Sequence, residues 1–142
     1  MAHLKILHVI GQRPEMTGSG IYLESIIRQS EKHGFSNYRV AGVPAGGDFS
    51  SNDIPQTESS YVYFNSGLLN FSVPGMSDVM PYKSSLFKEL KGNRLTAYKA
   101  AFTRELQKVF TRFSPDIIHT NHLFLLTALV LSLIHISEPT RL

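Results

Sequence analysis

The sequence predicts an α/β protein built on a parallel sheet, and three observations carry that expectation. The first is the short apolar run Lys5 to Ile10 (KILHVI), which ends at Gly11 as a strand buried on both faces does. The second is a helical stretch from Gly20 to His33 followed by a second apolar run, Tyr38 to Val43 (YRVAGV). The third is the pairing of a long amphipathic helix from Asn93 with another short apolar run, Asp116 to His119 (DIIH). Strands alternating with helices of this length are the pattern of a parallel sheet with right-handed crossovers.

Within the first helix, Tyr22, Leu23, Ile26 and Ile27 are expected on the core side, and Glu24, Arg28, Glu31 and Lys32 on the solvent side. Gly34 supplies the stop. Residues 5 to 43 then form a strand, helix, strand unit, the opening of a Rossmann-like sheet. Pro44 to Ser60 reads as loop, being rich in Gly, Ser, Asn, Asp and Pro, and Tyr61 to Phe64 (YVYF) as a third strand. Asn65 to Gly92 is too long for a simple connection in a compact domain, which suits a functional loop with short helical pieces. Asn93 is expected to cap the next helix, whose apolar face is Leu95, Tyr98, Phe102, Leu106, Val109, Phe110 and Phe113. Arg104, Lys108 and Arg112 fall opposite that face, whereas Lys99 falls within its arc and must snorkel or lie at its edge. Ser114-Pro115 ends the helix, and a further helix should begin near Asn121.

Composition excludes several classes. The 142 residues, 42% hydrophobic and 18% charged, give room for one globular core, with no apolar run of membrane-spanning length. The chain has no cysteine, which rules out disulfides, thiolate metal sites and cysteine nucleophiles. With no secretory pattern at Met1 to Gly11, a cytoplasmic location is expected. The net charge of +3 reads first as a solvated basic surface, and is compatible with phosphorylated or acidic ligands or peripheral membrane association. No basic run interleaved with aromatics supports nucleic-acid binding.

Two segments could carry chemistry. The turn Gly11 to Gly20 (GQRPEMTGSG) places Gly18, Ser19 and Gly20 where the first helix begins, so backbone amides and the helix dipole could hold a phosphate there. A plain strand-to-helix turn explains the same residues. The dinucleotide fingerprint lacks its third glycine and its acidic residue at the end of the second strand, and the P-loop ending is absent; an NAD enzyme and the simplest nucleotide triphosphatases are disfavoured. His119, Asn121 and His122 lie where a strand should give way to a helix, at the carboxyl edge where open α/β sheets bind ligands. Histidine there can donate to a sugar hydroxyl or a phosphate, or serve in packing or capping. Without nearby carboxylates a metal site is not expected, and no cofactor is called for.

The opening KILHVIG, the Gly18-Ser19-Gly20 turn and the PDIIHTNH segment at 115 to 122 resemble, in order and spacing, family 4 of the retaining glycosyltransferases. The likeness covers roughly residues 4 to 130. It implies the amino-terminal half of a two-domain GT-B fold, in which the first turn approaches the donor diphosphate or the acceptor. A histidine of a His-x-His type segment lines the active site beside the transferred sugar. Carried over, these roles fall on Gly18, Ser19 and Gly20 and on His119, Asn121 and His122. The second histidine of the pattern falls at Asn121, with His122 one place later, so either residue could take that role. The resemblance also implies a nucleotide-sugar donor, an acceptor that the sequence leaves unnamed, and a carboxyl-terminal domain with a Glu-x7-Glu type motif that these 142 residues do not contain. A fragment of this kind is expected to be inactive alone. A stand-alone flavodoxin-like module binding a phosphorylated ligand without turnover is the alternative. Residues 131 to 142 (LSLIHISEPTRL) resemble translated sequencing-adapter read-through, so the domain is expected to span 1 to 130 with a non-native tail.

Overall fold

The computed structural model describes residues 3–46, 57–122 and 125–137. Residues 47–56, within the expected loop, and 138–142, within the expected tail, lie outside the described residues. Among the described residues six strands and three α-helices follow in order: β1 (Lys5–Ile10), α1 (Gly18–Lys32), β2 (Ser36–Pro44), β3 (Glu58–Phe64), β4 (Pro74–Gly75), β5 (Ser85–Leu86), α2 (Asn93–Phe113), β6 (Ile117–Thr120) and α3 (Leu125–Ser137). Four strands form one parallel sheet in the order β3-β2-β1-β6, while β4 and β5 pair separately. The α/β class and the Rossmann-like parallel sheet predicted from sequence are what the chain adopts.

Alternation along the strands sends side chains to two different layers. On the α2/α3 side, Leu7 and Val9 of β1, Val40 of β2 and Val62 and Phe64 of β3 meet Tyr98, Phe102, Leu106 and Val109 of α2 and Leu126, Val130 and Leu133 of α3. On the α1 side the apolar cluster is smaller, with Ile10, Ala41 and Val43 against Leu23 and Ile27. His8, Asn37 and Arg39 alternate with these apolar residues and are buried among them.

Helix α1 corrects the expected orientation of its face. The buried residues are Gly20, Leu23, Glu24 and Ile27, an i, i+3, i+4, i+7 stripe. Tyr22 is 60% exposed, and Glu24, expected on the solvent side, is buried because it ion-pairs with Arg39 from β2. The helix also starts two residues before the expected point, since the Thr17 hydroxyl accepts from the Gly20 amide at 3.1 Å and caps it. Its end is a Schellman closure, with Gly34 N–H donating to the Glu31 carbonyl and Phe35 N–H to that of Ser30.

Of the predicted apolar face of α2, Tyr98, Phe102, Leu106, Val109 and Phe113 are buried and Leu95 and Phe110 half-buried, and Lys99 lies exposed. Asn93, however, is its first helical residue. The cap position belongs to Gly92, whose φ of 59° and ψ of −131° suit glycine far better than asparagine. The 65–92 segment contributes more core than expected: Phe71 and Val73 are buried against Phe64 and α2, and the segment folds through the β4–β5 pair and a 3-10 turn at Phe87–Glu89. Helix α3 runs past residue 130 to Ser137, with Leu133 8% exposed and Leu131 53% exposed. No helix among the described residues is long and apolar enough to cross a membrane.

Candidate functional site

Strands β1 and β6 are parallel neighbours, with His8 opposite His119 and Val9 opposite Thr120. Both therefore end at the same sheet edge, and Asn121 ties the two ends together: its backbone N–H donates to the Val9 carbonyl at 3.0 Å and its Nδ2 to the same oxygen at 3.3 Å. The turn after β1 and the segment after β6 thus leave the sheet side by side, at the carboxyl ends where ligands collect in open α/β sheets.

The turn 11–17 is a packed structure in its own right. Gln12, Arg13 and Thr17 are buried. Gln12 Nε2 donates to Ser19 Oγ at 2.7 Å, and Thr17 Oγ1 donates to the Arg13 carbonyl at 3.3 Å. Arg13 ion-pairs with Glu15, and its guanidinium lies 5.2 Å from the centre of the Tyr82 ring, which fastens the 65–92 segment over the turn. Burial pushes the Tyr82 hydroxyl up to about 12, against the opposing pull of the Arg13 backbone and cation.

The three residues of the Gly18–Gly20 turn are not equivalent. A Cβ on Gly20 would stand 1.9 Å from the Pro14 carbonyl oxygen, so the helix start can pack on the turn only without a side chain there, and the Gly20 amide is already taken by Thr17. Gly18 is exposed, and a Cβ there would meet nothing within 4 Å, while Ser19 is half-buried beside Gln12 and Thr17. The amides of Gly18 and Ser19 are the ones an anion at this helix start would reach.

The residues of the 119–122 segment separate onto the two faces of the sheet. His119 points into the α1 layer, where its Nδ1 lies 3.1 Å from Nδ1 of His8. His122, with a left-handed φ of 67°, sits at the sheet edge beside Gly11, Met76, Phe87, Tyr98 and Leu126, around a hollow of about 10 Å³. That is about the room one water needs. Its Nδ1 is buried and has no hydrogen-bond partner among the described residues, and its carbonyl accepts from Thr127 Oγ1 at 2.5 Å. Burial lowers the pKa of both His119 and His122, so each is biased toward the neutral ring, donor at one nitrogen and acceptor at the other. Asn121 lies between them and lines the hollow while both its backbone and side-chain N–H groups are held by β1. His122 and Gly11 come together; His119 does not join them.

A larger concavity of about 450 Å³ runs between β3 and α2, lined by Tyr61, Leu69, Ala97, Ala101, Arg104 and Lys108 among others. Size alone would favour it. It is an open trough on the flank of the sheet, however, and the histidines and the helix-start amides lie elsewhere, at the carboxyl edge.

Sequence reasoning passed over His8, Thr17, Asn37 and Tyr82. A signal existed for the first: a histidine in the middle of KILHVI is bound to face one buried layer, and a buried histidine needs partners. Among the described residues no group of three or more His, Cys, Asp or Glu is placed to hold a metal.

Fold and edge geometry together define the class: an α/β protein with a Rossmann-like parallel sheet and a loop cluster at its carboxyl edge. No protein family, no curated protein and no solved structure matches the chain.

Proposed function

We propose that this chain is the amino-terminal part of a glycosyltransferase that moves a sugar from a nucleotide-sugar donor to an acceptor with retention. The observation that carries the reading is at the sheet edge, where the turn that leads from β1 to the start of α1 at Gly18 and Ser19 and the Asn121-His122 segment leave neighbouring parallel strands side by side, the two strand ends joined through Asn121 and Val9. Helix-start amides suit a departing diphosphate, and a neutral histidine suits the hydroxyls of a sugar. Such a site works by holding two substrates in line and stabilising the leaving group's charge. The order and spacing of KILHVIG, the glycine turn and PDIIHTNH support the same reading. The donor nucleotide would be held mainly by a carboxyl-terminal domain, so the isolated chain turns over no substrate.

The alternative, a phosphate-binding module without catalysis, is favoured by one observation: the Gly20 amide is occupied by Thr17, which leaves a small anion site rather than an extended cradle. Titration of the purified chain with UDP-glucose, GDP-mannose and inorganic phosphate, followed by amide chemical shifts, separates the two. The glycosyltransferase reading expects sugar nucleotides to shift Gly18, Ser19 and His122 beyond what phosphate does. Equal effects of phosphate and sugar nucleotide favour the module, and no effect at these residues overturns both.

A further inference from the structure

His8 is fully buried in the α1 layer, and both of its ring nitrogens are engaged. Nε2 lies 2.8 Å from Asn37 Oδ1 and Nδ1 lies 3.1 Å from His119 Nδ1, with the two rings perpendicular at 89°. Proton positions along this chain follow from one fixed end. The Phe35 carbonyl can only accept, so the Asn37 amide turns its Nδ2 toward it, at 3.3 Å. Asn37 Oδ1 then faces the other way, taking Ser30 Oγ at 2.7 Å and His8 Nε2. An amide oxygen accepts only, so His8 carries its proton on Nε2.

A neutral ring protonated on Nε2 has a bare lone pair on Nδ1. Two bare nitrogens at 3.1 Å would repel, so the nitrogen facing it, His119 Nδ1, must supply the hydrogen. His119, a half-buried residue, is then left with its lone pair on Nε2, the ring nitrogen that does not face His8. The other charged groups of this layer, Arg39 of β2 and Glu24 of α1, are joined to each other. Burial holds His8 down at about 4, so the relay begins from an uncharged ring at neutral pH.

We propose that His8 is a positioning residue, which fixes the proton of His119 on Nδ1 and so presents His119 Nε2 as a hydrogen-bond acceptor for a ligand hydroxyl. The ligand chemistry follows from the lone pair: a hydroxyl can donate to it, whereas the ionised oxygens of a nucleotide-sugar diphosphate carry no proton to give. The proposal rests on the glycosyltransferase reading only for the identity of the hydroxyl, which is one borne by the sugar or the acceptor. It gives His119 a hydroxyl-accepting role on the α1 side of the sheet, apart from the hollow beside His122, and leaves the phosphate to the helix start.

The tautomers are read from nitrogen-15 shifts of the histidine rings in the whole chain at pH 7 without ligand, and so independently of any transfer reaction. The expected spectrum has a protonated-type Nε2 on His8, and on His119 a protonated-type Nδ1 with a bare-type Nε2. A bare Nδ1 on His119, or a cationic ring at either position, overturns the proposal. In His8→Phe, His119 should lose its Nδ1–H preference; an unchanged His119 in the folded variant removes the role of His8. Asn37→Ala gives a second reading should that variant not fold, with the expected loss of the single His8 tautomer and, again, an unchanged spectrum as the contrary result. Methyl glucoside should move the His119 Nε2 signal while sulfate, an oxyanion with no proton at pH 7, leaves it in place. A response to sulfate instead of the sugar, or to neither, overturns the hydroxyl assignment, while the tautomer result stands or falls separately.

Discussion

The two faces of the central sheet solve the burial problem differently. The face toward α2 and α3 is mainly apolar, from Leu7, Val9, Val40 and Phe64 to Phe102 and Leu106, with the Tyr38–Ser60 hydrogen bond at its margin, and any one of these apolar side chains stabilises by area removed from water. The face toward α1 sets a few apolar residues among a buried ion pair, Arg39–Glu24, and a buried histidine, His8, bonded to Asn37 and His119. On the first face the interactions are non-directional and interchangeable in kind. On the second they hold only in matched sets, because a polar group left alone in the interior costs more than its partnered form returns. That second face is also the one that controls His119.

The sharpest way to break the comparison is to remove one partner on each face. Glu24→Ala removes the ion-pair partner of the buried Arg39 guanidinium and should cost about 3–5 kcal/mol; Phe102→Ala, on the apolar face, should cost about as much through a cavity. The difference shows in rescue. Adding Arg39→Met should recover most of the Glu24→Ala loss, while no single polar change should recover Phe102→Ala. Denaturant unfolding of the three variants measures this, and equal non-rescue on both faces would remove the distinction.

Acid should act on the α1 face next. The His8 pKa is lowered to about 4 by burial in the first place, with the Asn37 hydrogen bond opposing and His119 and Arg39 adding to the fall. Between the unfolded value of 6.5 and the folded value near 4 the unfolded chain binds the extra proton, so stability is complete above that window and is lost as pH falls through it. The loss should be on the order of 3 kcal/mol at the acid end. His119 and His122, whose pKa values are also lowered, act in the same direction. Urea unfolding at pH 7.5, 6 and 4.5 should show the slope in the parent chain and a weaker one in His8→Phe.

Within α3 the apolar face extends to Leu133, beyond the point where a non-native tail was expected. Leu133→Ala should cost about 2 kcal/mol and Leu131→Ala, on the exposed side, less than about 0.5 kcal/mol. Equal, negligible effects would show that residues after 130 add nothing to the core.

The smallest expected effects are at the helix start. Thr17→Ala removes the cap on Gly20 and should cost about 1 kcal/mol. Gly18→Ala should stay within about 0.5 kcal/mol of the parent, since its added methyl meets open space. A loss at Gly18 as large as that at Thr17 would mean that the two positions support the turn alike.

Much of this was legible in the sequence, and the reason is periodicity. KILHVI, YRVAGV and the seven apolar positions of α2 are local patterns, and a local pattern fixes an element's type and its approximate span. The parallel sheet followed from their alternation. The carboxyl-edge placement of the glycine turn and of residues 119–122 followed from strand direction alone. Which side of α1 would be buried did not follow. Tyr22 looked like core and Glu24 like surface, and only Arg39, 15 residues further along in the next strand, reversed them. Likewise, His119 and His122 read as neighbours in one segment, yet the end of β6 sends one into the α1 layer and the other to the hollow beside Gly11. Hydrophobic spacing is written locally and can be read locally. The partner of a buried charge or an imidazole comes from a distant part of the chain, as His8 and His119 do across 111 positions, and only the assembled sheet brings the two together.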